Sequence, residues 1–263
     1  MKIWANTIVH NEENFIFFSL MSVVDFVDKI LVWDTGSDDK TVEIIEEVKK
    51  IKGNKISFKQ MGKADANEFT KLRQQMLEES DSDWILVLDG DEIWWKESIK
   101  KVVNAINQNE EKIEGIVIPM VVAVGDIYHL QDMNAGKYNI LGLKGHYNLR
   151  AISKKIPGLH VDLPYGSEGY FDLSKKLIQE RERIIFLEAP YFHATHLKRS
   201  SVKRMNKYKY ELGRHVPSSF KFPEVFYGHY SEKIASPWQK RSINDSLISG
   251  FFTPLRKLKR KIK

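Results

Sequence analysis

In the stretch "DWILVLDGDEIWW", Asp83 to Trp95, five apolar residues run into Asp89, Gly90, Asp91 and Glu92. A carboxylate left inside an apolar core costs several kcal/mol, so these acids must emerge into a wet or metal-bearing cleft. Two carboxylates separated by one glycine offer hard oxygen ligands on a tight turn, a donor set that suits magnesium or manganese. Taken alone, the same four residues also make a solvated turn that caps a helix.

A second acidic corner changes that balance. The apolar run "KILVW" ends in "DTGSDDKT", Asp34 to Thr41, where Gly36 permits close backbone approach and a helix follows. The first run, "IWANTIV", ends in "HNEEN", giving a third polar turn of the same kind. Further along, "HATH" supplies His193 and His196. On a strand, residues i and i+3 face opposite sides, so at most one of these histidines reaches a shared metal.

The elements that must carry these turns alternate. "IWANTIV", "KILVW", "KISFKQM", "WILVL" and "GIVIPMVVAV" read as strands. Between them lie four helical stretches: a buried one over "ENFIFFSLMSVVDFV", then amphipathic ones with Val42, Ile45, Val48 and Ile51, with Phe69, Leu72, Met76 and Leu77, and with Ile99, Val102, Val103 and Ile106. The expected fold class is α/β, a mainly parallel central sheet flanked by helices. Ligands of such sheets collect beyond the carboxyl ends of the strands. Beyond Val124 the pattern loosens. Residues 125–148 read as a long binding loop, 149–164 as a hairpin around Pro157 and Gly158, 183–197 as one strand, and 198–213 as a basic helix.

At 263 residues the chain is long enough for one such domain with an appendage, and it contains no cysteine. Disulfide frameworks, thiolate metal sites and cysteine nucleophiles are therefore excluded. The net charge of +6 is local: Arg256 to Lys263 holds six of the 41 basic residues and no acid, leaving 35 basic against 35 acidic residues elsewhere. A neutral body argues against nucleic acid as a partner. No segment reads as a cleaved signal or a membrane span, so a cytoplasmic location is expected, with peripheral attachment to the inner face of the plasma membrane through the basic tail as one option and a solvated tail as the other.

In order, "TIVHNEEN", "DTGSDDKT" and "DGDE" resemble the signatures of inverting family 2 glycosyltransferases of the GT-A, nucleotide-diphospho-sugar transferase fold, as does Phe69 with Arg73 on the helix before the motif strand. His10 stands where that family commonly has tyrosine. The resemblance implies a donor half over residues 1–124, an acceptor half over 125–197 and a helical, basic extension over 198–263. It implies that Asp34 contacts the nucleotide base with help from Asn11, Glu13 and Gly36, that Arg73 belongs to the donor site, that Asp89 holds ribose or metal-bound water, and that Asp91 ligates a divalent cation, Mn or Mg, on the diphosphate, with His193 or His196 as a further ligand.

Inversion needs one base to take a proton from the acceptor hydroxyl. Asp162 and Glu168, in "GLHVDLPYGSEGYF", are the candidates, with Asp162 slightly favoured. The expected function is transfer of a sugar from a nucleotide diphosphate donor to a glycan, lipid-linked glycan or protein acceptor, in envelope polysaccharide synthesis by resemblance. A nucleotidyltransferase and a non-catalytic sugar-nucleotide-binding protein are the alternatives. The first-strand turn of a nucleotidyltransferase is typically basic and glycine-rich, whereas "HNEEN" is acidic.

Overall fold

The computed structural model describes residues 1–202 and 208–261, with the side chain of Lys261 also outside that description. The first half alternates as its sequence requires. Strand β1 (Ile3–Val9) leads to α1 (Ile16–Val23), β2 (Lys29–Asp34) to α2 (Thr41–Lys52), β3 (Ile56–Gln60) to α3 (Ala66–Glu79), and β4 (Trp84–Val87) through the short β5 (Glu92–Trp94) to α4 (Lys96–Asn109). The second half is mostly strands: β6 (Gly115–Val124), β7 (Asp126–Leu130), β8 (Tyr138–Ile140), β9 (Leu143–Gly145), β10 (Tyr147–Ser153), β11 (His160–Asp162), β12 (Gly169–Phe171), β13 (Ile184–Phe186), β14 (Tyr191–His196) and β15 (Arg214–His215), before α5 (Ile243–Lys261).

The main sheet runs β15-β7-β6-β10-β4-β1-β2-β3, with β13 and β14 alongside β6 and β5 beside β14. Strands β3, β2, β1 and β4 are mutually parallel, and β10 enters antiparallel between β4 and β6. Their register sets Val9 beside Asp34 and Asn6 beside Val87, which brings all three acidic turns to one edge. Helices cover both faces. Residues of α1, α2 and α4 join one core, around Phe18, Ile44 and Ile99, whereas α3 packs Met76 against Ile8, Leu31 and Trp33 on the other side.

Each helix has a local reason for its limits. In α2, Ile44, Ile45 and Val48 are buried, and Gly53 ends the helix at a φ of 60°. Ile51, expected on the buried face, is 56% exposed because it falls on that last turn. Asp65 opens α3 with a full capping box, accepting from the backbone of Asn67 and Glu68 while Glu68 returns to the Asp65 amide.

Several later expectations are corrected. Residues 125–148 hold β7 and the β8–β9 hairpin, not a free loop. No hairpin forms around Pro157: β10 is drawn into the main sheet, and β11 pairs with β12 instead. The run 183–197 is two strands, since Pro190 offers no backbone donor and β14 restarts three residues further along β6. The basic helix over 198–213 is absent from the described part of that run, residues 198–202 and 208–213. There Ser200 donates to Asp39 and accepts from the Val202 amide, side-chain bonds that compete with a helix. Lys203, Arg204 and Lys207, basic residues of that run, lie outside the described residues. Among the described residues, the C-terminal extension is α-helical only from Ile243.

Candidate functional site

The three strand-end turns open on a cleft of about 1610 Å³. First and second turns brace one another. Asn11, at a φ of 55°, accepts from the Asp38 amide at 2.8 Å, and its own amide donates to Ser37 Oγ at 2.8 Å. Glu13 accepts from the Lys40 amide at 3.2 Å. Burial works against the Glu13 charge, but donors from Ser201 and Lys40 outweigh it and hold its carboxyl below the usual range. Gly36 has a φ of 78°, and a Cβ there would meet Lys63 Cγ at 2.9 Å, so both backbone and space demand glycine.

Asp34 is 1% exposed. Its Oδ2 accepts from the Gly36 and Ser37 amides at 2.9 and 3.0 Å, and Oδ1 from the Ser37 hydroxyl. In this structure Asp34 clamps its own turn, while the neighbouring His10 and Thr35 line the cleft.

The third turn holds the strongest electrostatics. Arg150, on β10, donates to Asp89 at 3.0 Å, to Glu92, and through Nε to the Tyr191 hydroxyl at 3.2 Å. Burial opposes the charge of Asp89, yet Arg150 and then Arg73, 4.0 Å away, keep its carboxyl below the ordinary value. Glu92 is fully buried, and burial pushes it up to about 7 against the pull of Arg150. Asp91 is 3% exposed. One of its oxygens lies 3.4 Å from His193 Nε2, and the other accepts from Arg199 at 2.9 Å. Arg199 donates to Glu12 as well, so one guanidinium ties the first turn to the third. Gly90 makes that approach possible, because a Cβ would meet Glu12 Cγ and Val9 Cγ1, each at 3.0 Å.

The cleft thus gathers Asn11, Arg73, Asp89, Asp91, His193 and Glu168 from the expected site. Asp162 is exposed and accepts from the next amide, Leu163, at 2.7 Å, whereas Glu168 faces the cleft and accepts from the Gly166 amide. His193 lies beside Glu92 in the β14–β5 register, and the ladder slips before His196, so the two histidines are not equivalent. Neither tryptophan of the motif lines this cleft: Trp94 is buried and stacks on Tyr191 at 5.3 Å, and Trp95 lines a separate pocket. Sequence reasoning missed Arg150 and Glu92 as a buried pair. The charged Arg150 within the apolar alternation of "YNLRAIS" was the available signal.

Among the described residues, no three histidines or acids are grouped as a ready-made metal cage. Two donors do fit one. Asp91 Oδ1 and His193 Nε2 lie 3.4 Å apart, a spacing that two neighbouring ligands of one divalent ion take. Such ions commonly take one or two protein ligands and complete their shells with water and phosphate oxygens.

Strand-end acids around a cleft on a largely parallel α/β sheet define a nucleotide-sugar transferase architecture. The chain belongs to glycosyl transferase family 2, whose model matches residues 7–167. It is 35% identical over 103 residues to the TPR repeat-containing protein Synpcc7942_0270 of Synechococcus elongatus, covering 39% of this chain and 24% of that one. It is 30% identical over 126 residues to the SPbeta prophage-derived glycosyltransferase SunS of Bacillus subtilis, covering 45% and 27%. The matched segments thus span about a quarter of each relative. Among solved structures, S. aureus TarS 1-349 in complex with UDP-GlcNAc superposes with a TM-score of 0.50 at 18% identity, over 78% of this chain and 60% of that one, which shows the shared fold. Among the described residues, no helix is long and apolar enough to cross a membrane.

Proposed function

We propose that the chain transfers a sugar, with inversion and with the help of a divalent cation, from a nucleotide diphosphate bound in this cleft to an acceptor hydroxyl. The observation that carries the reading is the Asp91 carboxylate, buried at the cleft and set between His193 and Arg199. Asp91 and His193 would hold Mn or Mg, which stabilises charge developing on the departing diphosphate as a Lewis acid does.

The chain's own groups then divide the work. Arg150 and Arg73 keep Asp89 ionised for a polar contact to ribose or to metal-bound water. His10, whose Nδ1 pairs with the Thr35 carbonyl at 2.8 Å, presents its ring at the cleft wall where a base would lie. Asn11 and Glu13 shape that wall, and Asp34 and Gly36 fix its backbone. Glu168, at the cleft, is the better-supported base for the acceptor hydroxyl, with Asp162 second. The acceptor is a glycan, a lipid-linked glycan or a protein, with envelope polysaccharide as the setting. Residues 1–124 supply the donor half, 125–197 the acceptor half and 198–263 an extension.

A thermal-shift panel of UDP, GDP, CDP and dTDP, each with and without manganese, tests the reading. UDP comes first because the TarS complex contains UDP-GlcNAc. A nucleotide at 100 times its dissociation constant adds about 2.7 kcal/mol, a shift of a few degrees. The expected result is a manganese-dependent shift for one nucleotide that disappears in Asp91→Asn and shrinks in His193→Ala. A panel with no shift would overturn the proposal.

A further inference from the structure

Helix α5 is docked inside out. Its polar side faces the body: Ser249 is 1% and Thr253 7% exposed, Arg256 donates to the Tyr210 carbonyl at 3.1 Å, and the Leu212 amide donates to Thr253 Oγ1 at 2.8 Å. Arg260 grips Glu211 with two bonds of 2.7 and 2.6 Å. A helix that met water on its far side would carry polar residues there. This one carries Ile243 (80% exposed), Leu247 (70%), Phe251 (72%), Leu255 (54%) and Leu258 (57%), spaced by four, four, four and three. At 100° per residue these fall in one stripe opposite the docked side, and the half-exposed Ile248 and Phe252 widen it.

We propose that this stripe is a membrane-docking surface and that α5 lies in the plane of an anionic lipid headgroup layer. Charge complementarity selects that occupant. Lys257 and Lys259 are exposed and project on opposite flanks of the stripe, and from Arg256 onward the helix holds no acid. An apolar face bordered by lysines on both sides is the pattern of a helix lying in a membrane interface, where each lysine near an anionic surface adds attraction. A parallel second copy of α5 would set lysine against lysine at this end, which works against that pairing. Earlier in the chain, Ser242 and Asp245 stand at the rim of the active-site cleft. A helix held on the headgroups therefore brings the mouth of the cleft to the lipid surface, which suits an amphiphilic acceptor. The docking itself does not depend on the donor reading.

The test is flotation of the full chain with phosphatidylcholine vesicles, with or without phosphatidylglycerol, beside light scattering without lipid. Wild type should partition onto the anionic vesicles at least tenfold better than onto the neutral ones. Phe251→Glu with Leu255→Glu should lose that partition tenfold or more, and Lys257→Gln with Lys259→Gln should lose several-fold. Both pairs are exposed, so unchanged thermal melts are expected. Should either variant melt early, hydrogen exchange of wild type serves instead: amides of α5 must gain protection on anionic vesicles. Failure to float, or floating that ignores the stripe variant, overturns the proposal. A dimer in solution that the stripe variant abolishes also overturns it and assigns the face to a second copy. Nucleotide binding is not read here, so a failure leaves the donor reading untouched.

Discussion

At the scale of single residues, three acids of the cleft, Glu12, Asp89 and Asp91, each pair with an arginine. Arg199 contacts both Asp91 and Glu12, which are 3% and 7% exposed. Its guanidinium therefore neutralises charge that a divalent cation would also neutralise. Replacing Arg199 with alanine removes that cation from both carboxylates at once. The cost should be a few kcal/mol without metal, in the range for truncating one member of a buried ion pair. Manganese should restore more of the melting temperature in Arg199→Ala than it adds to wild type, because Asp91 then gives up no bond to Arg199 on binding it. Melting curves of both proteins with and without manganese check this, and equal manganese shifts would show that Arg199 and the cation do not compete. Arg150 is different in kind. It holds Glu92, a fully buried carboxyl that burial pushes up to about 7, and so secures the turn from below.

Among the elements, α3 shows how a helix outside the acidic turns still serves them. It carries Arg73, which is 8% exposed and 4.0 Å from Asp89, and Phe69, whose ring meets Tyr165 at 4.6 Å. The position of both depends on where the helix starts, and its start is set by the Asp65 capping box. Asp65→Ala should cost about 1 kcal/mol, a fall of roughly 2–4 °C for a chain of this size. Asp65→Asn should recover most of it, and a melt series of the three proteins separates capping from any other role. The same element explains what was legible beforehand. Strands β1, β2 and β4 could be read as short apolar runs buried on both faces, and helices α2 to α4 because each buries one periodic apolar face, and the parallel register then carried Asp89, Asp91 and Asn11 to one edge. The later strands could not. Strand β10 pairs with β4, whose partner residues lie more than sixty positions earlier, and "YNLRAIS" carries no sign of that partner. The stretch 198–202 was misread as helix because its charges suggested a solvated face, whereas Arg199 and Ser200 are claimed by Asp91 and Asp39 across the fold. Asp34 was read for its chemistry, yet the amides two and three residues on already hold one of its oxygens and the Ser37 hydroxyl the other.

For the whole molecule, the question is what ties the irregular later half to the sheet. One answer is a charge network at the end of the sheet opposite Asp91 and His193. Glu114, just before β6, receives Arg181 through Nε at 2.7 Å and Nη2 at 3.0 Å, and Arg183 as well, while Arg181 also reaches Asp172 after β12. One buried carboxylate thereby ties the start of β6 to residues 181–183, and Arg181 extends the network to Asp172. The Arg181 hydrogen bonds, with help from Arg183, hold Glu114 below its ordinary value against the opposing effect of burial. The sign follows directly. A carboxyl with a lowered folded pKa stabilises the fold at pH values above its unfolded pKa, near 4.5, and loses that contribution as the pH falls through the folded value. Glu114→Gln keeps the shape and removes the charge, so it should cost about 1.5–3 kcal/mol at pH 7, the range for hydrogen bonds to charged groups. The gap between the two proteins should narrow steadily below pH 4.5. Urea titrations at pH 7, 5 and 4 measure it. A gap that stays constant across those values would mean that Glu114 acts by packing alone and that the later half is held to the sheet by its apolar contacts, among them Ile184 with Leu149 and Ile178.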